Sequence, residues 1–253
     1  MSERSQPILS VRGLCKNFGA LAVAQSIELD LEPGARVGLI GPNGAGKTTF
    51  VNLLTGMIPA DDGDILLDGE SIAKLPPEAR VRRGLARTYQ INTLLVENTV
   101  RENVAVAIAE RERYAWRMLR FGRHWGACLE EAQARLEEMD IGRVGDRTVR
   151  HLPYGEQRLL EIAIALALKP RVLLLDEPGA GVPSHEAHVI HDALDRLPRD
   201  IAILIIEHDM DLVFRFAHEI VVMVQGRVLV RDVPSAISAN PEVRSVYLGR
   251  SKV

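Results

Sequence analysis

The chain has 253 residues, of which 47% are hydrophobic and 26% are charged, a composition typical of a folded globular protein and not of a disordered one. Its 31 basic and 34 acidic side chains give a net charge of −3, which argues against a protein that grips nucleic acid mainly through the phosphates. Two cysteines far apart, Cys15 and Cys128, give no basis for a disulfide framework or a structural zinc site. The first residues lack the apolar stretch of a signal peptide, and the apolar runs are too short to cross a bilayer, so we expect any membrane role to come through a partner.

The predicted elements alternate between strands and helices along most of the chain. Alternating apolar residues predict a half-buried antiparallel strand at 27–31, and a short apolar run predicts a strand at 37–40 that enters a glycine-rich loop. Helical spacing follows over 47–54. Two later runs, 172–175 and 201–206, are apolar at every position, which is typical of central strands in a parallel sheet covered on both faces.

The rest of the pattern completes an α/β protein with an added helical lobe. Helical stretches near 156–168 and 185–197 alternate with the apolar strands, so βαβ units are the expected topology. Residues 220–230 predict a terminal hairpin. Between about 103 and 140 the pattern is mostly helical, which predicts a helical lobe inserted into the sheet domain. Its arginine-rich helix at 110–125 is either a solvated face or a surface for a membrane or a membrane protein.

A phosphate-binding loop is the strongest motif of the chain. Residues 41–48, Gly-Pro-Asn-Gly-Ala-Gly-Lys-Thr, match G-x-x-x-x-G-K-[ST] and lie between a predicted strand and a predicted helix, as the motif requires. Glycines let successive backbone N–H groups turn toward an anion, and the helix N-terminus adds a partial positive charge. Lys47 can reach the β- and γ-phosphates of a nucleotide, and the Thr48 hydroxyl can ligate Mg²⁺. The candidate nucleotide-binding residues of this segment are Gly41, Pro42, Asn43, Gly44, Ala45, Gly46, Lys47, Thr48 and Thr49.

Acidic residues and a histidine follow the two apolar strands. Asp176 and Glu177 come directly after the strand at 172–175, and ligands of open parallel sheets collect at the carboxyl ends of strands. Asp176 is therefore a candidate Mg²⁺ ligand, and Glu177 is a candidate general base for an attacking water. His208 follows the other apolar strand and is a candidate hydrogen-bond donor to the γ-phosphate. The competing interpretations are a solvated strand end for the acids and a structural role for the histidine.

Four segments resemble the motifs of one protein family. Residues 152–161, Leu-Pro-Tyr-Gly-Glu-Gln-Arg-Leu-Leu-Glu, resemble the signature motif of the ATP-binding subunits of ABC transporters, whose usual form is Leu-Ser-Gly-Gly-Gln. Residues 87–90, Arg-Thr-Tyr-Gln, resemble the Q-loop of that family, and 179–183 lie where its D-loop belongs. Phe18 lies where the family places the aromatic residue that stacks on adenine. The resemblance extends over nearly the whole chain.

The resemblance implies an α/β fold. We expect a P-loop NTPase core with a mostly parallel sheet, an N-terminal antiparallel β subdomain and an inserted helical subdomain. The whole chain, 1–253, is expected to form a single ATPase domain of this kind. Its core is expected at 1–90 and 165–253, and its helical and signature subdomain at 91–164.

The resemblance also implies a mechanism and partners. Two such chains, identical or related, would close head-to-tail around ATP and Mg²⁺, with Tyr154, Gly155 and Glu156 of one chain serving the nucleotide of the other. Gln90 would contact Mg²⁺ and the attacking water, which makes it a further candidate catalytic residue and metal ligand. Closure would drive a separate polytopic membrane permease, with a substrate-binding protein as an indirect partner and no nucleic acid. The chain would lie peripherally at the cytoplasmic face of the membrane.

Some positions depart from the usual family pattern. Pro153 replaces the signature serine, Ile164 stands where the following helix usually carries arginine, and Pro183 occupies the usual aspartate of the D-loop, which leaves their effect on turnover open. The Tyr-Gly pair in the signature, the Arg-Thr-Tyr-Gln segment at 87–90 and the tail at 240–249 resemble the subfamily that powers branched-chain amino acid import. We therefore expect an ATP-hydrolysing subunit of an importer for branched-chain or related amino acids.

Three alternatives stay open from the sequence. The ATPase of lipopolysaccharide export has a similar size and tail, although its signature more often keeps Leu-Ser-Gly-Gly. A non-transport ABC ATPase acting on nucleic acid or the ribosome usually joins two ATPase domains or carries coiled-coil or zinc insertions, which this sequence lacks. A soluble P-loop kinase would make the segment at 152–161 an accidental match. The sequence does not name the transported molecule or distinguish a homodimer from a heterodimer.

Overall fold

The computed structural model of the chain describes residues 6–88, 94–113, 118–183 and 186–248. The strands and α-helices of these described residues are, in chain order, β1 (Leu9–Phe18), β2 (Leu21–Leu31), β3 (Arg36–Ile40), α1 (Lys47–Thr55), β4 (Asp62–Leu67), β5 (Glu70–Ser71), α2 (Pro77–Arg82), β6 (Leu85–Arg87), α3 (Val100–Arg111), α4 (Met118–Glu138), α5 (Tyr154–Ala167), β7 (Val172–Asp176), α6 (Ala187–Asp195), β8 (Ala202–Ile206), α7 (Met210–Phe216), β9 (Glu219–Val224), β10 (Arg227–Asp232), α8 (Pro234–Ala239) and α9 (Pro241–Leu248).

The chain groups into two compact units, and each is described by itself. The first unit comprises Met1–Leu85, Arg171–Glu177 and Arg199–Val253. The second unit comprises Ala86–Pro170 and Pro178–Pro198. The first unit therefore holds most of the strands, and the second holds the helices α3, α4, α5 and α6.

One segment groups differently from the expected division. Residues 178–198 belong to the second unit, because α6 packs against α5, whereas the sequence analysis assigns this segment to the core. The expected boundaries, a core at 1–90 and 165–253 and a helical subdomain at 91–164, stay a prediction.

The first unit contains an antiparallel sheet with the order β2-β1-β4-β5. The predicted strand at 27–31 is confirmed as the second half of β2, where Ile27, Leu29 and Leu31 are buried and the residues between them are not. One face of this sheet therefore packs on the core, as strict alternation requires. The N-terminal antiparallel β subdomain is confirmed.

The other sheet is mostly parallel and has the order β10-β9-β3-β8-β7-β6. Strands β9, β3, β8 and β7 run parallel to one another, and β10 pairs antiparallel with β9 as the predicted hairpin. Every residue of β3 and β8 is buried, as are the first four of β7. The predicted central strands are confirmed, and the carboxyl ends of β3, β8 and β7 lie side by side at one edge of the sheet.

The second unit is helical, and buried polar contacts join its helices. The α3 helix begins with a capping box, in which the Thr99 side chain accepts from the Glu102 N–H and the Glu102 carboxylate accepts from the Thr99 N–H, which satisfies the free donors of a helix start. At the other end of α3, Arg111 pairs with Glu131 of α4 at 2.8 Å and donates to the carbonyl oxygen of Ala167 at 2.6 Å. One guanidinium thus connects α3, α4 and the end of α5.

Two expectations fall on residues that the structure does not describe. Gln90 belongs to 89–93, and the arginine-rich segment at 110–125 includes 114–117 and the side chains of 118–123. The α3 helix ends at Arg111. Among the helices of the described part of the chain, none is long and apolar enough to pass through a bilayer.

Candidate nucleotide-binding site

The loop at 41–46 runs from the end of β3 to the start of α1. Gly46 has φ +100°, and a Cβ atom there would lie 2.6 Å from the carbonyl oxygen of Val23. A Cβ atom on Gly41 would lie 2.3 Å from the carbonyl oxygen of Met223. Both approaches exclude any larger residue, so glycine is required for the loop to curl against the neighbouring backbone. The loop lies at the N-terminus of α1, where the partial positive charge of the helix makes it a candidate site for an anion.

The Lys47 side chain is held against this loop by backbone carbonyl groups of the loop. Its Nζ donates to the carbonyl oxygens of Gly41 at 2.7 Å and Pro42 at 3.2 Å. The side chain is half-buried, and burial lowers the pKa of Lys47, while the carboxylates of Glu177 and Asp176 act in the opposite direction. The ammonium is thus partly desolvated and bonded to neutral carbonyls, which makes it available to a phosphate oxygen.

The other residues of the predicted loop differ in their exposure and contacts. Asn43 and Gly44 are exposed, whereas Ala45 is buried and its N–H donates to the carbonyl oxygen of Pro42. Thr48 and Thr49 lie in the first turn of α1, Thr48 exposed and Thr49 half-buried. Their hydroxyl groups therefore lie within one turn of the positive end of the helix.

Asp176 and Glu177 lie at the end of β7, beside β8. Asp176 is the last residue of the strand, and its backbone pairs with Ile206. Glu177 has φ +48°, a conformation that non-glycine residues rarely adopt, and its N–H donates to the carbonyl oxygen of Ile206 at 2.8 Å. Such strain is typical of functional positions. The Glu177 side chain is 39% exposed, so water can reach its carboxylate.

His208 follows β8 and faces two carboxylates. Its Nδ1 lies 4.0 Å from Oε1 of Glu177 and 3.7 Å from Oε2 of Glu207. Glu207 is 1% exposed, and its carboxylate accepts from the N–H groups of His208 and Asp209. Glu207 was not among the residues predicted from the sequence, although an acid directly after an all-apolar strand was a usable signal. Glu207 fixes the turn that presents His208.

These residues are brought together by the order of the strands. The phosphate loop follows β3, His208 follows β8, and Asp176 and Glu177 end β7, and these three strands are neighbours. Phe18 lies in the other sheet of the same unit, at the end of β1, where its ring is exposed and Lys16 Nζ lies 5.7 Å from the ring centroid. The hydroxyl of Thr48 and the carboxylate of Asp176 are hard oxygen donors, which suits Mg²⁺.

The segment that resembles the signature starts α5 in the second unit. Pro153 precedes the helix and is exposed, while Gly155 is buried. The N–H of Gly155 donates to Oε2 of Glu186 at 3.3 Å, and a Cβ atom on Gly155 would lie 2.9 Å from the same oxygen. A carboxylate of the same chain thus lies at the positive end of α5. Sequence analysis did not identify Glu186, and nothing in its local pattern distinguishes it from a solvated acid.

The neighbours of Gly155 also make contacts within the chain. The Tyr154 hydroxyl donates to the carbonyl oxygen of Ala180 at 3.1 Å. Glu156 pairs with Arg143 at 2.5 Å. A cavity of about 290 Å³ lies beside this helix start, and its lining includes Pro153 and Gly155 together with charged residues of both signs. The signature segment therefore borders open space, while the Tyr154 hydroxyl and the Glu156 carboxylate are held by contacts within the chain.

The sequence profile described as "ABC transporter" matches residues 24–180. The chain is 38% identical to the high-affinity branched-chain amino acid transport ATP-binding protein BraF of Pseudomonas aeruginosa, over 98% of this chain and 100% of the relative. It is also 38% identical to the protein LivG of Escherichia coli K12, which has the same description, with the same two coverages.

Solved structures agree with these relatives. The crystal structure of a nucleotide-free ATP-binding cassette from an ABC transporter has a TM-score of 0.83 and 28% identity, covering 96% of this chain and 99% of the other. A crystal structure of the ADP conformation of an ATP-binding cassette of an ABC transporter has a TM-score of 0.82 and 27% identity, covering 97% of this chain and 100% of the other. The profile match over more than half of the chain and the identity along nearly all of it place this chain in the ABC transporter family, as an ATP-binding and ATP-hydrolysing subunit.

Proposed function

We propose that this chain energises an importer of branched-chain or related amino acids. One observation carries the proposal: the chain is 38% identical, along almost its full length and theirs, to two ATP-binding proteins named for high-affinity branched-chain amino acid transport. These relatives favour amino acid import over lipopolysaccharide export and over action on nucleic acid or the ribosome. The Tyr-Gly pair at 154–155 supports the same subfamily.

In this proposal the first unit grips the nucleotide. The backbone N–H groups of residues 43–46 and the N-terminus of α1 bind the phosphates, because both supply N–H donors and positive potential. Lys47 exchanges its two carbonyl partners for the β- and γ-phosphates. Phe18 stacks on adenine, which its exposed ring supports. Thr48 and Thr49 close the site at the first turn of the helix.

Glu177 and His208 act on the γ-phosphate end of ATP. Glu177 accepts the proton of the attacking water as general base, and its exposed carboxylate and strained backbone support this role. His208 donates a hydrogen bond to the γ-phosphate from the end of the neighbouring strand. Gln90, which lies outside the described residues, is proposed to sense the attacking water. This arrangement accelerates hydrolysis, because the base and the hydrogen-bond donor are held in place before the water attacks.

Mg²⁺ would be held by Thr48, Asp176 and Gln90. When bound it neutralises charge on the phosphates. Oxygen donors from one or two protein groups plus substrate phosphates are the usual magnesium environment, and Thr48 and Asp176 provide them.

The signature helix would serve a second copy or a related chain. In this arrangement the Gly155 N–H, with Tyr154 and Glu156 beside it, faces the γ-phosphate bound by the partner, so that two ATP molecules hold the dimer closed. The N–H would then exchange the Glu186 carboxylate for the phosphate. Closure would move a polytopic permease that receives its cargo from a substrate-binding protein, with this chain peripheral at the cytoplasmic face of the membrane. ATP binding thus supplies the work by favouring the closed state.

A Glu177→Gln variant tests the hydrolytic and transport parts together. We expect ATP turnover of the purified chain to fall at least about 100-fold, since a general base supplies about 10²–10⁴ in rate. ATP-bound dimer should accumulate, as measured by light scattering. In cells whose own copy is replaced by the variant, uptake of labelled leucine, isoleucine and valine should fall to the level of a deletion.

Glu219→Gln is the matched control, because Glu219 is a surface carboxylate paired with Arg231 on the β9–β10 hairpin. It should leave turnover and uptake unchanged. Wild-type turnover in Glu177→Gln would remove Glu177 from the role of base. Normal branched-chain uptake in the deletion strain would overturn the proposed substrate class.

A further inference from the structure

A fork of hydrogen bonds joins the signature helix to the segment after Glu177. Nη2 of Arg158 donates to the Tyr154 hydroxyl at 3.0 Å and to the carbonyl oxygen of Ala180 at 3.1 Å. The Tyr154 hydroxyl donates to the same carbonyl oxygen at 3.1 Å. We call this group, with Glu161 behind it, the Tyr154–Arg158 clamp. All its members belong to the second unit.

The clamp is buried at a cost in free energy. The side chains of Arg158 and Glu161 are 5% and 4% exposed and form an ion pair at 2.8 Å. Burial raises the pKa of Glu161, which shows that its charge is poorly solvated there. Nε of Arg158 and Oε1 of Glu161 have no hydrogen-bond partner within the described residues. An apolar pair of similar volume would stabilise such a site as well or better, so stability alone does not account for these charges.

The clamp holds a short piece of backbone. Gly181 has φ +77°, and a Cβ atom there would lie 2.8 Å from the Tyr154 hydroxyl oxygen. The Arg158 guanidinium lies 5.2 Å from the centroid of the Tyr154 ring. The backbone at 180–181 is therefore pressed against the tyrosine and bonded to it. Ala180 is three residues beyond Glu177 along the chain, so the clamp fixes the stretch that directly follows the proposed base.

We propose that Tyr154 and Arg158 are positioning residues that couple the signature helix to the segment carrying Glu177. This inference rests on the proposed function, in which Gly155 engages the partner's nucleotide while Glu177 acts on its own. Tyr154 neighbours Gly155 on the helix, and its hydroxyl reaches the segment after Glu177. A shift of the helix on nucleotide binding is thereby passed to that segment through the Ala180 carbonyl. Tyr154 thus has two proposed roles. It lies beside the nucleotide of the partner, and it also acts on Glu177 within its own chain.

The test is Tyr154→Phe in the full-length chain, which keeps the ring and removes only the hydroxyl. We expect kcat for ATP to fall about fivefold, the factor that one hydrogen bond supplies, with KM changed less than about twofold. The Hill coefficient for ATP should fall toward one, because coupling between two sites produces cooperativity. Melting temperature should stay close to that of the wild type.

Two further variants distinguish a positioning role of the clamp from an effect on folding. The double variant Arg158→Gln/Glu161→Gln removes both charges at once and leaves no lone buried charge; its effect on kcat and Hill coefficient should not add to that of Tyr154→Phe. Arg135→Gln, whose partner Glu138 is on the surface of α4, is the control and should match the wild type.

A Tyr154→Phe protein with wild-type kcat and Hill coefficient would overturn the proposed role of the clamp. So would losses in the variants that match the loss of folded protein in their melting curves. If the wild type hydrolyses ATP and Glu177→Gln does not, such a result rejects the clamp alone. If Glu177→Gln hydrolyses ATP like the wild type, Glu177 is not the general base, and the clamp, which rests on that role, fails with it.

Discussion

Glu186 and Gly155 show how one side chain can compete with a ligand. The amide at the start of α5 carries partial positive charge, and in this structure it donates to the Glu186 carboxylate. In the proposed dimer the same amide faces the γ-phosphate of the partner's nucleotide. A carboxylate and a phosphate cannot both occupy that place, so we expect Glu186 to oppose closure until nucleotide displaces it.

A Glu186→Gln variant should therefore dimerise at lower ATP concentration. We expect the ATP concentration at half-maximal dimer formation to fall about two- to fivefold, the factor given by about 0.3–1 kcal/mol for a charge at a helix terminus. Light scattering in a Glu177→Gln background, where hydrolysis does not interfere, measures it. Glu110→Gln removes an exposed acid from α3 and should change nothing. A higher ATP requirement in Glu186→Gln would show that the carboxylate supports the helix start.

At the scale of elements, α1 is held at both ends. Its start is fixed by the phosphate loop, and its end stops at Gly56. There the buried Arg80 donates to the carbonyl oxygens of Leu53 at 2.6 Å and Leu54 at 2.8 Å, and also to two carbonyls of the 73–75 segment. Burial lowers the pKa of Arg80. One cation thus caps the last turn, where carbonyls have no helical partner.

Replacing Arg80 by methionine should destabilise the protein by about 2–4 kcal/mol. The change leaves several buried carbonyls unpaired, and each unpaired group costs about 1–3 kcal/mol, although partial relaxation reduces the sum. Urea unfolding followed by circular dichroism measures the loss. Arg82→Met on the exposed face of α2 is the matched control and should stay within about 0.5 kcal/mol. Equal midpoints for the two variants would show that Arg80 is not the anchor of α1.

Across the whole molecule, ion pairs set how stability responds to acid. Hydrogen bonding from Arg111 lowers the pKa of Glu131, and hydrogen bonding from Arg171 lowers the pKa of Asp68. A lowered pKa in the folded state contributes stability that is complete above the unfolded value, near 4, and is lost as pH falls through the folded value. Glu161 affects stability in the opposite direction. Burial raises its pKa because the buried carboxylate is poorly solvated, and protonation at lower pH removes that cost.

We therefore expect a Glu131→Gln variant to be less stable than the wild type at pH 7, by about 1 kcal/mol for a partly exposed pair. The difference should shrink as pH falls from about 4 through the lowered folded-state pKa of Glu131, because the wild-type carboxylate then becomes protonated too. Urea unfolding at a series of pH values measures it. Glu130→Gln, an exposed neighbour on α4, should follow the wild type. A difference that stayed constant with pH would mean that Glu131 acts through packing and not through charge.

The sequence predicted most of the parallel core but not every strand. Runs that are apolar at every position identified β7 and β8, because central strands bury both faces. The long strand β1 was not predicted, since its buried residues Leu9, Val11 and Leu14 break the period of two. Register shifts in its pairing with β2 interrupt the alternation, and such irregularities depend on the partner strand.

The sequence by itself predicted the candidate residues of the nucleotide site, because the phosphate loop, the acids after β7 and His208 are each local patterns whose residue types suggest a role. Only the tertiary structure decided what these and the signature residues touch. That Tyr154 meets Ala180, that Gly155 meets Glu186 and that Arg80 ends α1 follow from contacts between residues distant in the chain. Local sequence patterns do not encode such contacts, since they depend on how whole elements pack.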